Sequence, residues 1–232
     1  MDISKSIRTC LALFGKQKIE MMRNKKTWIL FFVFPITLVV MSLMEDNAPT
    51  SLILFIVMAS VMPPMIGIAS QVAEEREKGI IRGLIYIGVN SFEYLGGMML
   101  CIGLSSYICV CAMCMYLENK LSISMDGQIM IVCLLAIVCS MIIGAIIGVL
   151  AKNQIAVSAM TVPVSLGVLF VSIVGISKKE IHSISKYLFS QIILDTFEKN
   201  AVSTSEMIII ISNVFILFLC FVFIYRKRRN EG

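Results

Sequence analysis

Residues 128–150 read QIMIVCLLAIVCSMIIGAIIGVL. No charged side chain interrupts this run, and its polarity is confined to Gln128, Ser140 and two cysteine thiols. At 1.5 Å of rise per residue an α-helix of that length covers about 34 Å, against a bilayer hydrocarbon thickness of about 30 Å. The run is apolar on every side and so has no stripe to turn toward water. In lipid, backbone amides and carbonyls must be bonded within the segment itself, so the run reads as a transmembrane helix.

The same kind of run recurs on both sides of it. Five further segments qualify, at 28–44, 52–73, 94–117, 155–176 and 207–225, the first of them short. The composition agrees: 58% of residues are hydrophobic, 15% are charged, and mean hydropathy is +0.91. Soluble domains carry roughly 25% charge. The expected fold is an all-α membrane protein of six transmembrane helices, with an N-terminal segment at 1–27 and a six-span domain at 28–232.

Lys and Arg set the orientation. Fifteen of the twenty lie in the N-terminal segment, the loops after the second and fourth spans, and the C-terminal tail. The other five are Lys120, Lys178, Lys179, Lys186 and Lys199. Cytoplasmic loops are the ones enriched in Lys and Arg, so both termini are expected in the cytoplasm. This bias also accounts for the net charge of +5 without nucleic acid, for which no aromatic-and-basic interleaving argues. No cleavable signal peptide is expected, because the first 27 residues lack an apolar core and carry seven Lys and Arg.

Seven of the eight cysteines lie in apolar runs, and Cys10 lies in the basic N-terminal segment. None falls in an expected outer loop, where disulfides form. Cys111 and Cys114 have C-x-x-C spacing but no second pair and no histidine beside them, so no metal site is expected.

Two segments outside the spans have a pattern of their own. Residues 2–27 place Ile3, Ile7, Cys10, Leu11, Phe14 and Met21 at near-helical spacing, with most Lys and Arg elsewhere. This predicts a basic amphipathic helix in the inner-leaflet interface of the lipid bilayer, leading to the interfacial aromatic Trp28. Residues 177–206 carry Ile181, Ile184, Tyr187, Leu188, Ile192 and Leu194 and predict one or two short helices at the outer interface. Glu45 and Asp46 fall in a tight outer turn that makes a hairpin of the first two spans.

Within the spans, Pro35, Pro63, Pro64 and Pro163 break the helical hydrogen-bond ladder and are hinge or pathway candidates. Gly144 and Gly148 form a GxxxG, for which packing within one chain is expected. No carboxylate lies near the centre of a span, which argues against a proton or cation relay. Polarity there comes from groups such as Thr37, Ser60, Ser105 and Asn213, better suited to an amphipathic or apolar cargo than to a small ion.

One charged cluster stands out. After the second span come Glu74, Glu75, Arg76, Glu77, Lys78 and Gly79, then Arg82, Leu84 and the apolar-aromatic Ile85-Tyr86-Ile87. Glu74 and Lys78 are an i,i+4 pair. The segment is compact, of mixed sign and suited to docking a partner.

Glu75-Arg76-Glu77-Lys78-Gly79, followed by Leu84 and by Ser91-Phe92-Glu93-Tyr94-Leu95, resembles the E-R-E-x-G-T…L…W-E-Y/I-L pattern of ABC type 2 exporter permeases. Ile80 stands where Thr is commoner. The layout is similar too: basic entry helix, six spans, and an outer interfacial or re-entrant element before the last. The resemblance implies a coupling helix at Glu74, Glu75, Arg76, Glu77, Lys78 and Gly79, seated in a groove of a cytoplasmic ABC ATPase subunit. It implies a second permease copy, identical or paralogous, with the first, second and fifth spans lining the interface and pathway. It implies the bacterial cell membrane. Small permeases of this length are similar to those for export of, or immunity to, antimicrobial and toxin peptides, with lipid or drug export as the alternative. No G-x-x-x-x-G-K-[ST] phosphate loop occurs, so the chain is expected not to be an enzyme by itself; ATP and Mg would sit on the partner.

Two other readings fit less well. An energy-coupling-factor importer's six-span substrate-binding component matches in size, but its Ala-x-x-x-Ala docking pattern is missing from the first span. An intramembrane protease beginning E-E-x-x-x-R would need Arg where Gly79 stands, and two histidines at depth; His182 is the chain's single histidine.

Overall fold

The computed structural model describes residues 3–23, 25–44, 49–86, 88–89, 91–121, 126–151, 153–177 and 179–230. Glu45, Asp46, Lys152 and Lys178 lie outside them. Every regular element among the described residues is a helix. In chain order these are α1 (Ile3–Arg23), α2 (Lys25–Met44), α3 (Pro49–Glu77), α4 (Ile80–Tyr86) and α5 (Ser91–Leu121). There follow α6 (Gly127–Leu150), α7 (Gln154–Ser177), α8 (Lys179–Ser185), α9 (Phe189–Lys199) and α10 (Thr204–Asn230).

Five helices are long and apolar enough to cross a membrane: α3, α5, α6, α7 and α10. The sixth is α2. Its apolar stretch begins at Trp28, but the helix begins at Lys25 and has 20 residues, enough for about 30 Å. α2 thus starts three residues before the apolar stretch that the sequence marks as the first span. α1 meets α2 at 68°, so it lies nearer the membrane plane than the membrane normal if α2 stands upright.

α3 is the centre of the bundle. It packs on α2, α5, α6, α7 and α9, and 72% of its most apolar window is buried. It continues through Pro63 and Pro64 as one helix, although neither proline can donate to the carbonyl four residues before it. Its longest contact is with α6, and the GxxxG explains why. A Cβ on Gly144 would stand 2.3 Å from the Met65 carbonyl oxygen, and one on Gly148 would stand 2.8 Å from the Ala69 carbonyl oxygen. The two backbones approach as close as glycine permits, so this motif joins helices of one chain.

α1 is held to the bundle in the same way. A Cβ on Gly97 of α5 would lie 2.5 Å from Leu13 Cβ. Cys10, Leu13, Phe14, Gln17 and Met21, at helical spacing, turn inward, and Gln17 Nε2 donates to Gln71 Oε1 of α3.

The outer segment forms two short helices, as its pattern predicts. α9, however, does not lie on the surface of the bundle as an interfacial helix would: every residue from Phe189 to Phe197 is buried, among α3, α6, α7 and α10. Asn200 ends it in the left-handed conformation, φ 50°, that asparagine tolerates. α10 then starts with one half of a capping box, in which the Ser203 amide donates to Glu206 Oε2 at 2.8 Å.

Candidate functional site

The charged cluster occupies the last turn of α3 and the turn that follows. Lys78 N still bonds to Glu74 O at 3.0 Å, but Gly79 N closes onto Arg76 O at 3.0 Å, a tighter turn. Gly79 has φ 72°, a conformation open to glycine and costly to most residues. The chain reverses there into α4, then through Gly88 (φ 83°) into α5. The segment is therefore a helix–turn–helix elbow between two spans.

Its side chains divide into two sets. Glu75 and Arg76 face into the subunit. Glu75 is 4% exposed; its Oε2 accepts from the Tyr94 hydroxyl at 2.7 Å and its Oε1 from Lys16 Nζ. One carboxylate thus joins α3 to α5 and to α1. Lys16 also faces Glu20 at 3.7 Å. Arg76 Nη1 donates to Val149 O at 2.7 Å and to Ala151 O at 2.5 Å. These are among the terminal carbonyls that α6 leaves without amide partners, and a guanidinium there complements the negative end of the helix dipole.

The second set faces out. Glu77, Lys78 and Gly79 are exposed, and Glu74 is half-buried beside them. Lys78 Nζ meets Glu74 Oε1 at 2.5 Å, and this hydrogen bond with the Glu74 charge raises the ammonium above its ordinary range. Tyr86, at the end of α4, is 90% exposed, while Ile81 and Leu84 turn toward the core. The elbow thus presents a Glu–Glu–Lys face and a free aromatic ring on a base fixed to α1, α5 and α6.

Sequence reasoning finds the cluster but not this division. Nothing in the charge pattern distinguishes Glu75 from Glu77. The signal is in the second half of the motif: Tyr94 of the S-F-E-Y-L stretch is the partner of Glu75 of the E-R-E stretch. Lys16 carries no such signal.

The four prolines do not converge on one surface. Pro63 and Pro64 are buried in α3, Pro35 is half-buried in α2, and Pro163 is exposed on α7.

A second polar group, not singled out by the sequence, surrounds α9. Ser190 and Ser172 share a hydrogen bond of 2.6 Å, and Gln191 Nε2 donates to Asp195 Oδ1 at 2.7 Å. Lys199 Nζ joins Glu206 at 2.7 Å and faces Asp195 at 3.9 Å. The bond to Glu206 raises the Lys199 ammonium above its ordinary range. Among the described residues no group of three or more His, Cys, Asp or Glu could hold a metal ion.

Residues 44–225 match a family model described as ABC-2 family transporter protein. No curated protein matches the chain. The matched stretch includes the elbow, all spans after the first, and the α9 segment.

Proposed function

This chain belongs to the ABC-2 transporter family, and we propose that, as the membrane permease of an ABC transporter, it exports its cargo under the drive of a separate ATPase subunit. The observation that supports this reading is the division of the elbow. A coupling element needs one face for the motor and another fixed to the part that moves. Glu74, Glu77, Lys78 and Tyr86 supply the first; Glu75 and Arg76 supply the second, at α3, the helix most embedded in the bundle. Glu75 and Arg76 therefore act within the subunit, and the contact with the ATPase falls to their neighbours. ATP and Mg belong to that partner.

The export complex contains two permease copies in this reading. The outward faces of α2 and α7 are apolar, with Phe32, Ile36 and Val40 on one and Val164, Phe170 and Val171 on the other. They suit a second copy or lipid, and Pro35 and Pro163 lie on these same helices. The second span, α3, lies inside the subunit instead. The cargo is an amphipathic or hydrophobic molecule, a peptide of the antimicrobial or toxin class foremost, with lipid or drug export as the alternative. The few polar side chains of the spans are hydroxyls and amides rather than charges. The complex sits in the bacterial cell membrane with both termini of this chain in the cytoplasm.

Two experiments test this. Glu77→Arg combined with Lys78→Glu is expected to lower co-purification of the ATPase encoded beside this chain by at least about tenfold, since each reversed charge meets a like charge across the contact. Yield and thermal stability of the permease should stay unchanged, because both side chains are exposed. Undiminished co-purification would overturn the coupling reading. For orientation, a single cysteine at Ser183 in a cysteine-free chain should react with an impermeant maleimide on intact cells, and one at Asn230 only after lysis. The reverse pattern would refute the topology.

A further inference from the structure

α1 splits the apolar positions that the sequence assigns to lipid: Cys10, Phe14 and Met21 turn into the bundle, and Leu11 stays outside. Its Cys10, Leu13, Phe14, Gln17 and Met21 stripe is used on α5 and α3. The outward side carries another pattern: Leu11, Ile19 and Met22 are 58%, 61% and 65% exposed, and Arg8, Lys18 and Arg23 are exposed among them. At 100° per residue these six positions fall within an arc of about 140°. An apolar row mixed with cations is suited to the interface of an anionic membrane.

Beside that row, residues of α1, Leu84 of α4 and Val89 line a shallow, open cleft of about 390 Å³. Its walls are apolar, from Ala12, Leu13, Leu84 and Val89, and its cations are Arg8 and Lys16. The Lys16 ammonium is already shared by Glu75 and Glu20. Among the described residues no carboxylate pairs with Arg8. A guanidinium beside an apolar cleft, with an exposed apolar row next to it, has the chemistry for a phosphodiester whose acyl chains contact that row.

We propose that the cleft between α1 and α4 is a binding site for one anionic phospholipid, whose phosphate is held by Arg8 and whose acyl chains lie along Leu11, Ile19 and Met22. Arg8 contributes through paired hydrogen bonds that Lys18 and Arg23, outside the cleft, do not make. The bound lipid braces α4 from the side opposite the bundle. Given the coupling reading above, it also steadies the elbow that meets the ATPase; the lipid site itself does not depend on that reading.

Full-length permease, without its ATPase, is reconstituted in phosphatidylcholine alone and in phosphatidylcholine mixed with phosphatidylglycerol, then analysed for retained lipid by native mass spectrometry. The wild type should retain one phosphatidylglycerol per chain in preference to phosphatidylcholine. Arg8→Gln should lower that retention at least about tenfold, Arg8→Lys should lower it less, and Arg23→Gln, outside the cleft, should leave it near wild type. Position is read independently from Leu84→Trp in a Trp28→Phe background. Brominated phosphatidylglycerol should quench that fluorescence, and brominated phosphatidylcholine should not. Equal retention of the two lipids, wild-type retention by Arg8→Gln, or equal quenching would overturn the proposal. An Arg8→Gln chain that keeps its lipid but loses its ATPase would assign the cleft to the partner protein instead. The coupling reading fails on a different result, undiminished co-purification after Glu77→Arg with Lys78→Glu, so the two are separable.

Discussion

Gly144→Val is expected to prevent assembly of the folded subunit. The nearest atoms to a Cβ there are Met65 O at 2.3 Å and Met65 C and Cα at 3.0 Å, all main-chain. A flexible side chain can swing away from an intruding methyl; a backbone cannot. Relief requires α3 and α6 to separate, and α3 also carries the contacts of α2, α5, α7 and α9. Met65 follows directly on Pro63 and Pro64, both buried, so the stretch that would have to move is confined on several sides. Overpacking costs typically 1–3 kcal/mol where neighbours relax, and here the loss should exceed about 3 kcal/mol. The measurement is monodisperse yield and thermal unfolding in detergent. Gly167→Ala is the control: nothing lies within 4 Å of its Cβ, and the change should fall within about 0.5 kcal/mol. A Gly144→Val chain with the melting temperature of the wild type would mean that α3 and α6 do not meet at this point.

The second large effect is expected at Glu75. Glu75→Ala removes the acceptor of the Tyr94 hydroxyl, which is itself buried, and the anion that Lys16 meets across α1. Breaking one side of a buried ion pair costs about 3–5 kcal/mol, and the partial exposure of Lys16 places this case at the lower end. Tyr94→Phe leaves Glu75 its lysine and should cost about 1 kcal/mol. The two substitutions share one hydrogen bond, so the double variant should lose less than the sum of the singles by at least about 0.5 kcal/mol. The contrast with Glu77 is the sharper test. Glu77→Arg should lose the partner and keep the fold, whereas Glu75→Ala should lower stability even with no partner present. Equal stability of the two variants would show that the inward and outward sets are not distinct.

Hydropathy locates the spans but cannot arrange them. α6 and α10 have the same mean hydropathy, 3.0, yet 61% of the α6 window is buried and 11% of the α10 window. α3, at 2.3, is the most buried of the five. In water apolar residues collect inside; in lipid both environments are apolar, and the hydrophobic effect no longer ranks helices by depth. What ranks them is close packing. The GxxxG of α6 was legible for that reason, although the identity of its partner was not. The amphipathic stripes of α1 and of the α9 segment were legible as stripes. Their targets were not, because an apolar stripe fits a bilayer interface and a protein groove equally well. The motif was legible as a whole, and its division into inward and outward residues required the position of Tyr94.

The burial of α9 bears on how the chain is made. Its 11 residues cover about 16 Å, half of the hydrocarbon, so a translocon cannot release it sideways as a span. Gln191 and Asp195, although bonded to each other, also set an ionisable group in its middle that lipid would not solvate. The slot that buries it is formed by α3, α6 and α7, which precede it in the chain, and by α10, which follows. The Lys199–Glu206 pair fastens it to the first turn of α10, the least buried of the five span helices. The burial of α9 is therefore complete only with α10 in place: a chain that ends before Thr204 lacks one wall of the slot and the carboxylate that meets Lys199.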